Sequence, residues 1–168
     1  MKPIKDNIQT GSICVLGIGF DQNSSFQKGP ALAPNRIRES YFSSSSNLWS
    51  EKGLDLGSLH LLYDLGNIDF KTDVDPFNQI TNSAKAVLDQ GNHMICLGGD
   101  HSITFPVIKA YAQKYDCLNI LHLDAHPDLY DSLDGNIYSH ACPFARIMEK
   151  KLAKRLVQAG IRTMTGHQ

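Results

Sequence analysis

The chain has 168 residues, 42% of them hydrophobic, which is enough for one domain with a substantial core and too little for two comfortable ones. Sixteen lysines and arginines against 17 aspartates and glutamates leave a net charge of −1, so the sequence carries no basic footprint for nucleic acid or an anionic membrane surface. No stretch approaches the roughly 20 apolar residues that span a bilayer.

Short apolar runs alternate with amphipathic segments, the pattern of helices layered on a mostly parallel sheet, so the expected class is α/β. A first strand is expected over Ile13 to Phe20, where SICVLGIGF is apolar, partly β-branched and closed by glycines. After a Gly/Pro/Asn-rich stretch, PNRIRESYF from Pro34 offers a proline for a first helical turn and the charge spacing of a half-exposed helix. Ser43 to Gly57 reads as a surface loop, since serine-rich sequence buries too little apolar area to offset its ordering entropy. A strand follows near Leu61 to Leu65. The segment Pro76 to Gly91 then sets Ile80, Ala84, Val87 and Leu88 at helical spacing, with Gly91 as its stop. Beyond it the pattern predicts strand His93 to Leu97, a helix around Thr104 to Tyr115, strand Cys117 to Leu123, helix Phe144 to Lys151 and strand Arg155 to Ile161. The apolar strand positions Ile13, Val15, Ile95, Leu97, Ile120 and Leu121 are expected to be buried under helices on both faces. The four cysteines, Cys14, Cys96, Cys117 and Cys142, form no CxxC pair or framework and read as buried thiols in a reducing compartment. With the polar N-terminus, this points to a soluble cytoplasmic protein and a single domain over residues 1–168.

Two strands end in polar clusters, and in an open α/β sheet ligands bind at the carboxyl ends of strands. One cluster is LGGDHS, from Leu97 to Ser102; the other is LHLDAHPD, from Leu121 to Asp128. In the second, Asp124, His126 and Asp128 alternate, so an extended backbone would send all three side chains to one side. His101 from the first cluster adds an imidazole, after glycines that permit close backbone approach. Only a helix and a strand separate the clusters, which would place them on adjacent strands of one sheet with His101, Asp124, His126 and Asp128 converging at its carboxyl edge. Two imidazoles and at least two carboxylates suit a divalent transition ion with mixed nitrogen and oxygen ligation. Carboxylates without cysteine favour manganese over zinc. The bland alternatives are that GGDH is a turn with Asp100 or Ser102 capping the next helix, and that Asp128 and Asp131 are solvated loop carboxylates. His122 lies one residue out of phase with the three prongs and reads as a core histidine or one that orients a ligand.

GGDHS and LDAHPD resemble the first two signature motifs of the ureohydrolase family, which contains arginase, agmatinase, guanidinobutyrase and formimidoylglutamase. The stretch Gly17 to Ser40 is similar to that family's N-terminal GP-x-x-AP-x-x-IR segment, and YSHACPFARIME, Tyr138 to Glu149, resembles its SH-x-x-PF-x-R segment. The resemblance implies a three-layer α/β/α fold and two Mn2+ ions, with His101 and Asp128 on one ion, Asp124 bridging both and His126 on the second. It also implies that His140 lies near the substrate and shuttles protons, that Asp100 and Ser102 orient ligands or cap the following helix, and that Asn23 belongs to the substrate rim. The implied reaction is hydrolysis of a small guanidino compound to urea and an amine. Agmatine is the first substrate expected, from the likeness of the Tyr130 and YSHACPFARIME region to agmatinases and plant-type arginases, and arginine the second. The full-length form is expected to be a homo-oligomer.

One departure stands out. The family's third motif, SxDxDxxDP, whose first two aspartates complete the ligand set, does not occur in the sequence, so the 168 residues are expected to form an incomplete ureohydrolase domain that binds manganese weakly and turns over slowly alone. A competing reading is a non-catalytic fragment acting as a metal-binding or assembly module. A metal-dependent deacetylase of related fold is disfavoured by the combination of GGDHS, LDAHPD and SHACPF.

Overall fold

The computed structural model describes residues 2–3 and 8–168. Its strands are β1 (Lys2–Pro3), β2 (Ile13–Ile18), β3 (Leu62–Asn67), β4 (His93–Gly98), β5 (Asn119–Leu123) and β6 (Arg155–Ala159). Its helices are α1 (Ala33–Tyr41), α2 (Pro76–Asp89), α3 (Thr104–Ala112) and α4 (Pro143–Glu149). Three of the four helices begin with proline in the first turn, where a missing N–H costs nothing, and Asp75 caps α2 by accepting from the Asn78 N–H at 2.8 Å. Every ladder is parallel.

The strands form two sheets, in the orders β1-β3-β2-β4 and β5-β6. This corrects the expectation that the two polar clusters sit on adjacent strands of one sheet. Among the described residues β4 and β5 do not pair, and their carboxyl ends meet through side chains instead. The α/β class with a parallel sheet holds.

α2 and α3 cover the face of the first sheet that carries Leu16, Ile18, Met94 and Cys96, packing Ile80, Phe77, Ile103 and Val107 against it. α3 and α4 cover one face of β5-β6, burying Phe105, Phe144 and Ile147 against Ile120 and Leu156. The opposite face of the first sheet is covered in part by α1, and the face of β5-β6 away from α3 and α4 is largely open among the described residues. Of the six positions expected in the core, Val15 is 5% exposed and Leu97 and Ile120 are half-buried, but Ile13, Ile95 and Leu121 are 37%, 46% and 65% exposed. Leu121 points to the face of β5-β6 away from α3 and α4, and Ile13 and Ile95 to the face of the first sheet that α1 covers only in part. Cys117 likewise corrects expectation. It is exposed because β5 begins only at Asn119, leaving the thiol in the preceding turn. Ser43–Gly57 is mostly exposed, tied by a bridge between Trp49 and Asp55. Among the described residues no helix is long and apolar enough to cross a membrane.

One ion pair locks α1 to β3. Arg38 donates from Nε and Nη2 to the two oxygens of Asp64, each at 2.8 Å, with further bonds to the Gly66 carbonyl and Asn67 Oδ1 at 3.0 and 2.5 Å. Both side chains are only 14% exposed. Burial pushes the Asp64 carboxyl up, but the Arg38 guanidinium and the Gly66 N–H outweigh it and hold the group below the usual carboxylate range. A depressed folded pKa gives stability that is present above the unfolded value near pH 4 and lost as pH falls through the folded one. Arg38→Ala should therefore cost about 3 kcal/mol in urea unfolding near neutral pH, since it strands a largely buried carboxylate. The gap between parent and variant should narrow in acid; a gap independent of pH would show that Arg38 acts through packing alone.

Candidate metal centre

The first cluster is placed by backbone. A side chain at Gly99 would collide with the backbone of Phe20, whose carbonyl accepts the Asp100 N–H at 2.8 Å, so the glycine permits the end of β4 to close on the end of β2. Asp100, 6% exposed, caps a short 3-10 turn, His101–Ile103, accepting from Ser102 N and Oγ at 2.9 and 2.5 Å. Its other oxygen accepts from the Asn23 N–H at 3.0 Å and from Ser24 Oγ at 3.4 Å. Asp100 and Ser102 thus fix the turn that presents His101.

The second cluster is not an extended run. The chain bends at 124–126 directly after β5, and Asp128 has a φ of 51°, in the left-handed region that aspartate tolerates better than most residues. The bend keeps Asp124 and Asp128 together but sets His126 apart from them, which corrects the expectation, drawn from strand alternation, that all three would converge. Asp128 meets the first cluster, its Oδ2 lying 2.5 Å from His101 Nδ1. Asp124 Oδ2 lies 4.0 Å from the same nitrogen and 3.4 Å from His122 Nε2. The ligand-type atoms of His101, His122, Asp124 and Asp128 all fall within 4.8 Å of one another. His126 stands outside this group: its side chain is 57% exposed, its ring Nδ1 is 3.5 Å from Asp124 Oδ1, and its backbone N–H donates to that same oxygen at 3.0 Å.

Burial raises the Asp124 carboxyl, yet the backbone N–H groups of His126 and Ala125 and the imidazoles of His101 and His122 bring it below its ordinary value. Burial, assisted by His101, lowers His122, which keeps this imidazole neutral at neutral pH. The imidazole of His101 and the carboxylates of Asp124 and Asp128, with His126 Nδ1 3.5 Å from Asp124, are a donor set that fits a divalent cation of mixed N/O preference.

The loop 131–142 lies alongside. Arg146 from α4, only 8% exposed, donates to the carbonyls of Asp131 and Ile137 at 2.7 and 3.2 Å and so ties the loop to the helix that follows. His140 N and Nδ1 lie 3.2 and 3.1 Å from the Asn23 carbonyl. A carbonyl only accepts, so Nδ1 carries the proton there and Nε2 is left with its lone pair. Asn23 also donates from Nδ2 to Ser102 Oγ at 3.2 Å and accepts from Asn136 Nδ2 at 3.0 Å. It knits the two motifs to the His140 loop, and with Phe20, Phe77, Phe105, Asn136 and Tyr138 it lines a cavity of about 660 Å³. A cavity of equal volume between α2 and β3 lies away from the cluster, lined mainly by apolar and amide side chains.

The family model described as the Arginase family matches residues 11–167. The chain belongs to the arginase family. Among curated relatives, "Arginase 1, mitochondrial" of Oryza sativa subsp. japonica is 45% identical over 163 residues, covering 92% of this chain and 48% of the rice protein. The solved arginase from Medicago truncatula superposes with a TM-score of 0.87 at 43% identity, over 94% of this chain and 52% of that one. The agmatine ureohydrolase of Thermoplasma volcanium gives a TM-score of 0.80 at 30% identity, over 95% and 53%. The chain spans about half the length of the curated relatives it matches. Two residues of the centre carried little or no signal in the sequence: His122, whose phase in β5 argued against a place in the ligand set, and Gln158, a lone amide in β6 that contacts it.

Proposed function

We propose that these residues form the front part of a binuclear manganese centre that hydrolyses a guanidino compound, with arginine the favoured substrate and agmatine the second. The observation that carries the proposal is the convergence of His101, Asp124 and Asp128 from two sheets that do not pair with each other. Arginine moves ahead of agmatine because the plant arginases are 42–45% identical to the chain, against 26–30% for the agmatinase structures.

In this reading His101, Asp124 and Asp128 would hold a divalent ion, and His126, beside Asp124, would serve a second. Divalent ions bound there would lower the pKa of water enough to supply a nucleophile at neutral pH. The chain's own part is to place charge and protons. Asp124 and Asp128 offset the cationic charge, and Asn23 keeps His140 Nδ1 protonated so that its Nε2 can take up a proton and pass it to the departing amine.

The test completes the donor set. A chimera in which these residues replace the matching half of the Medicago truncatula arginase, loaded with manganese, should release urea from arginine faster than from agmatine. Its His140→Ala variant should lose about 100- to 10,000-fold in kcat with metal retained. A folded chimera that releases urea from neither substrate, beside an active parent arginase, would refute the proposal.

A further inference from the structure

His122 belongs to the group of four candidate ligands, yet its surroundings argue against coordination. We propose that Gln158 locks His122 as the Nε2–H tautomer, which makes it a donor that positions Asp124 and excludes it as a metal ligand. The proposal rests on the metal-centre reading above.

Register brings the pair together. β5 and β6 run parallel with His122 directly opposite Gln158, and both side chains point to the covered face of the sheet. Gln158 Nε2 lies 2.6 Å from the carbonyl oxygen of Pro127. That oxygen only accepts, so the amide end facing it is the NH2 group, and the side-chain orientation is fixed. The same nitrogen is 2.9 Å from His122 Nδ1. An amide nitrogen donates and does not accept, so Nδ1 must present its lone pair. A neutral imidazole that accepts at Nδ1 carries its proton on Nε2. An imidazolium would set two donors against each other at 2.9 Å, so the donor pattern disfavours that form as well.

The Nε2–H then faces Asp124 Oδ2, 3.4 Å away. This is longer than a well-formed bond and tightens only if the carboxylate shifts slightly. The ring cannot turn elsewhere: it is 7% exposed and lies 4.1 Å from the Phe144 ring centroid and 5.3 Å from that of His101. Metal ligation needs a lone pair at the coordinating nitrogen, and Nε2 has none. Asp124 Oδ1 is thus held by the His126 N–H at 3.0 Å, and Oδ2 faces the His122 Nε2–H at 3.4 Å, which leaves the remaining lone pairs of both oxygens for cations.

Two measurements test this. In the metal-free, 15N-labelled chain, ring nitrogen shifts should report His122 with a protonated Nε2 and a bare Nδ1, and Gln158→Leu should mix the tautomers in a protein that still unfolds cooperatively. Manganese titrations should show His122→Phe weakened about 10- to 100-fold, as expected for loss of a group that orients a ligand. His122→Gln, whose amide N–H reaches the place of Nε2–H, should recover most of that loss. A protonated Nδ1 on His122, unchanged affinity in the phenylalanine variant, or loss in the glutamine variant equal to that in phenylalanine would each overturn the inference. A parent chain that binds no manganese, with the tautomer as stated, would instead count against the metal-centre reading.

Discussion

Asp124→Ala is expected to lower the manganese affinity of the chain by more than about 100-fold, beyond the range typical for residues that only orient ligands. Asp124 stands between the histidines, its Oδ2 within 4.0 Å of the His101 ring and 3.4 Å of the His122 ring. Its carboxyl is held below its ordinary value, so it is anionic at neutral pH. The alanine variant removes the charge that, with the His101 imidazole and the Asp128 carboxylate, makes a cation site. Asp124→Asn keeps the shape and should fail nearly as badly, because an amide offers one neutral oxygen in place of a charged pair. Calorimetric titration with manganese checks both. An alanine variant within about threefold of the parent would mean that the cluster is not the binding site.

Phe144→Ala is expected to destabilise the fold by about 3–5 kcal/mol, the usual cost of removing a fully buried phenyl ring. Phe144 is 2% exposed at the start of α4 and packs against Phe105, Ile147 and Ile120. Its ring also lies 5.7 Å from His101 and 4.1 Å from His122, and its N–H donates to the Asp128 carbonyl at 3.2 Å. One residue thus supports the core of the second sheet and the back of the metal cluster. Total stabilities are typically about 5–15 kcal/mol, so the variant should be marginal at 37 °C and its urea midpoint should fall steeply. A loss below about 1 kcal/mol would show that the pocket closes over the gap, and would imply that α4 is loosely seated.

Local pattern made the elements legible. The helices that begin at Ala33, Pro76 and Pro143 carry proline at their first turns, and the strands from Ile13, His93 and Arg155 were visible as short apolar runs. What local pattern could not supply was which neighbour covers which face. Ile95 and Leu121 are as apolar as Leu16 and Ile120, and only packing decides that the first two are exposed. The split of the strands into two sheets is hidden for the same reason, since pairing depends on partners distant in sequence. At the site, His101, Asp124 and Asp128 were legible because their residue types recur in motifs. Their geometry was not: the bend after Leu123 and the left-handed Asp128 break the alternation that a strand would impose. Gln158 gave no sign at all, because its meaning comes from cross-strand register with His122.

The central claim is that His101, Asp124 and Asp128 converge to hold a divalent cation. Crystals of the chain soaked in manganese, measured near the manganese absorption edge, test it most directly. The account predicts an anomalous difference peak bounded by His101 Nδ1, Asp124 Oδ2 and Asp128 Oδ2, with the His101–Asp128 contact opened to admit the ion. A chain that shows manganese only at surface carboxylates such as Glu39 or Asp89, with the His101–Asp128 hydrogen bond intact, would contradict it.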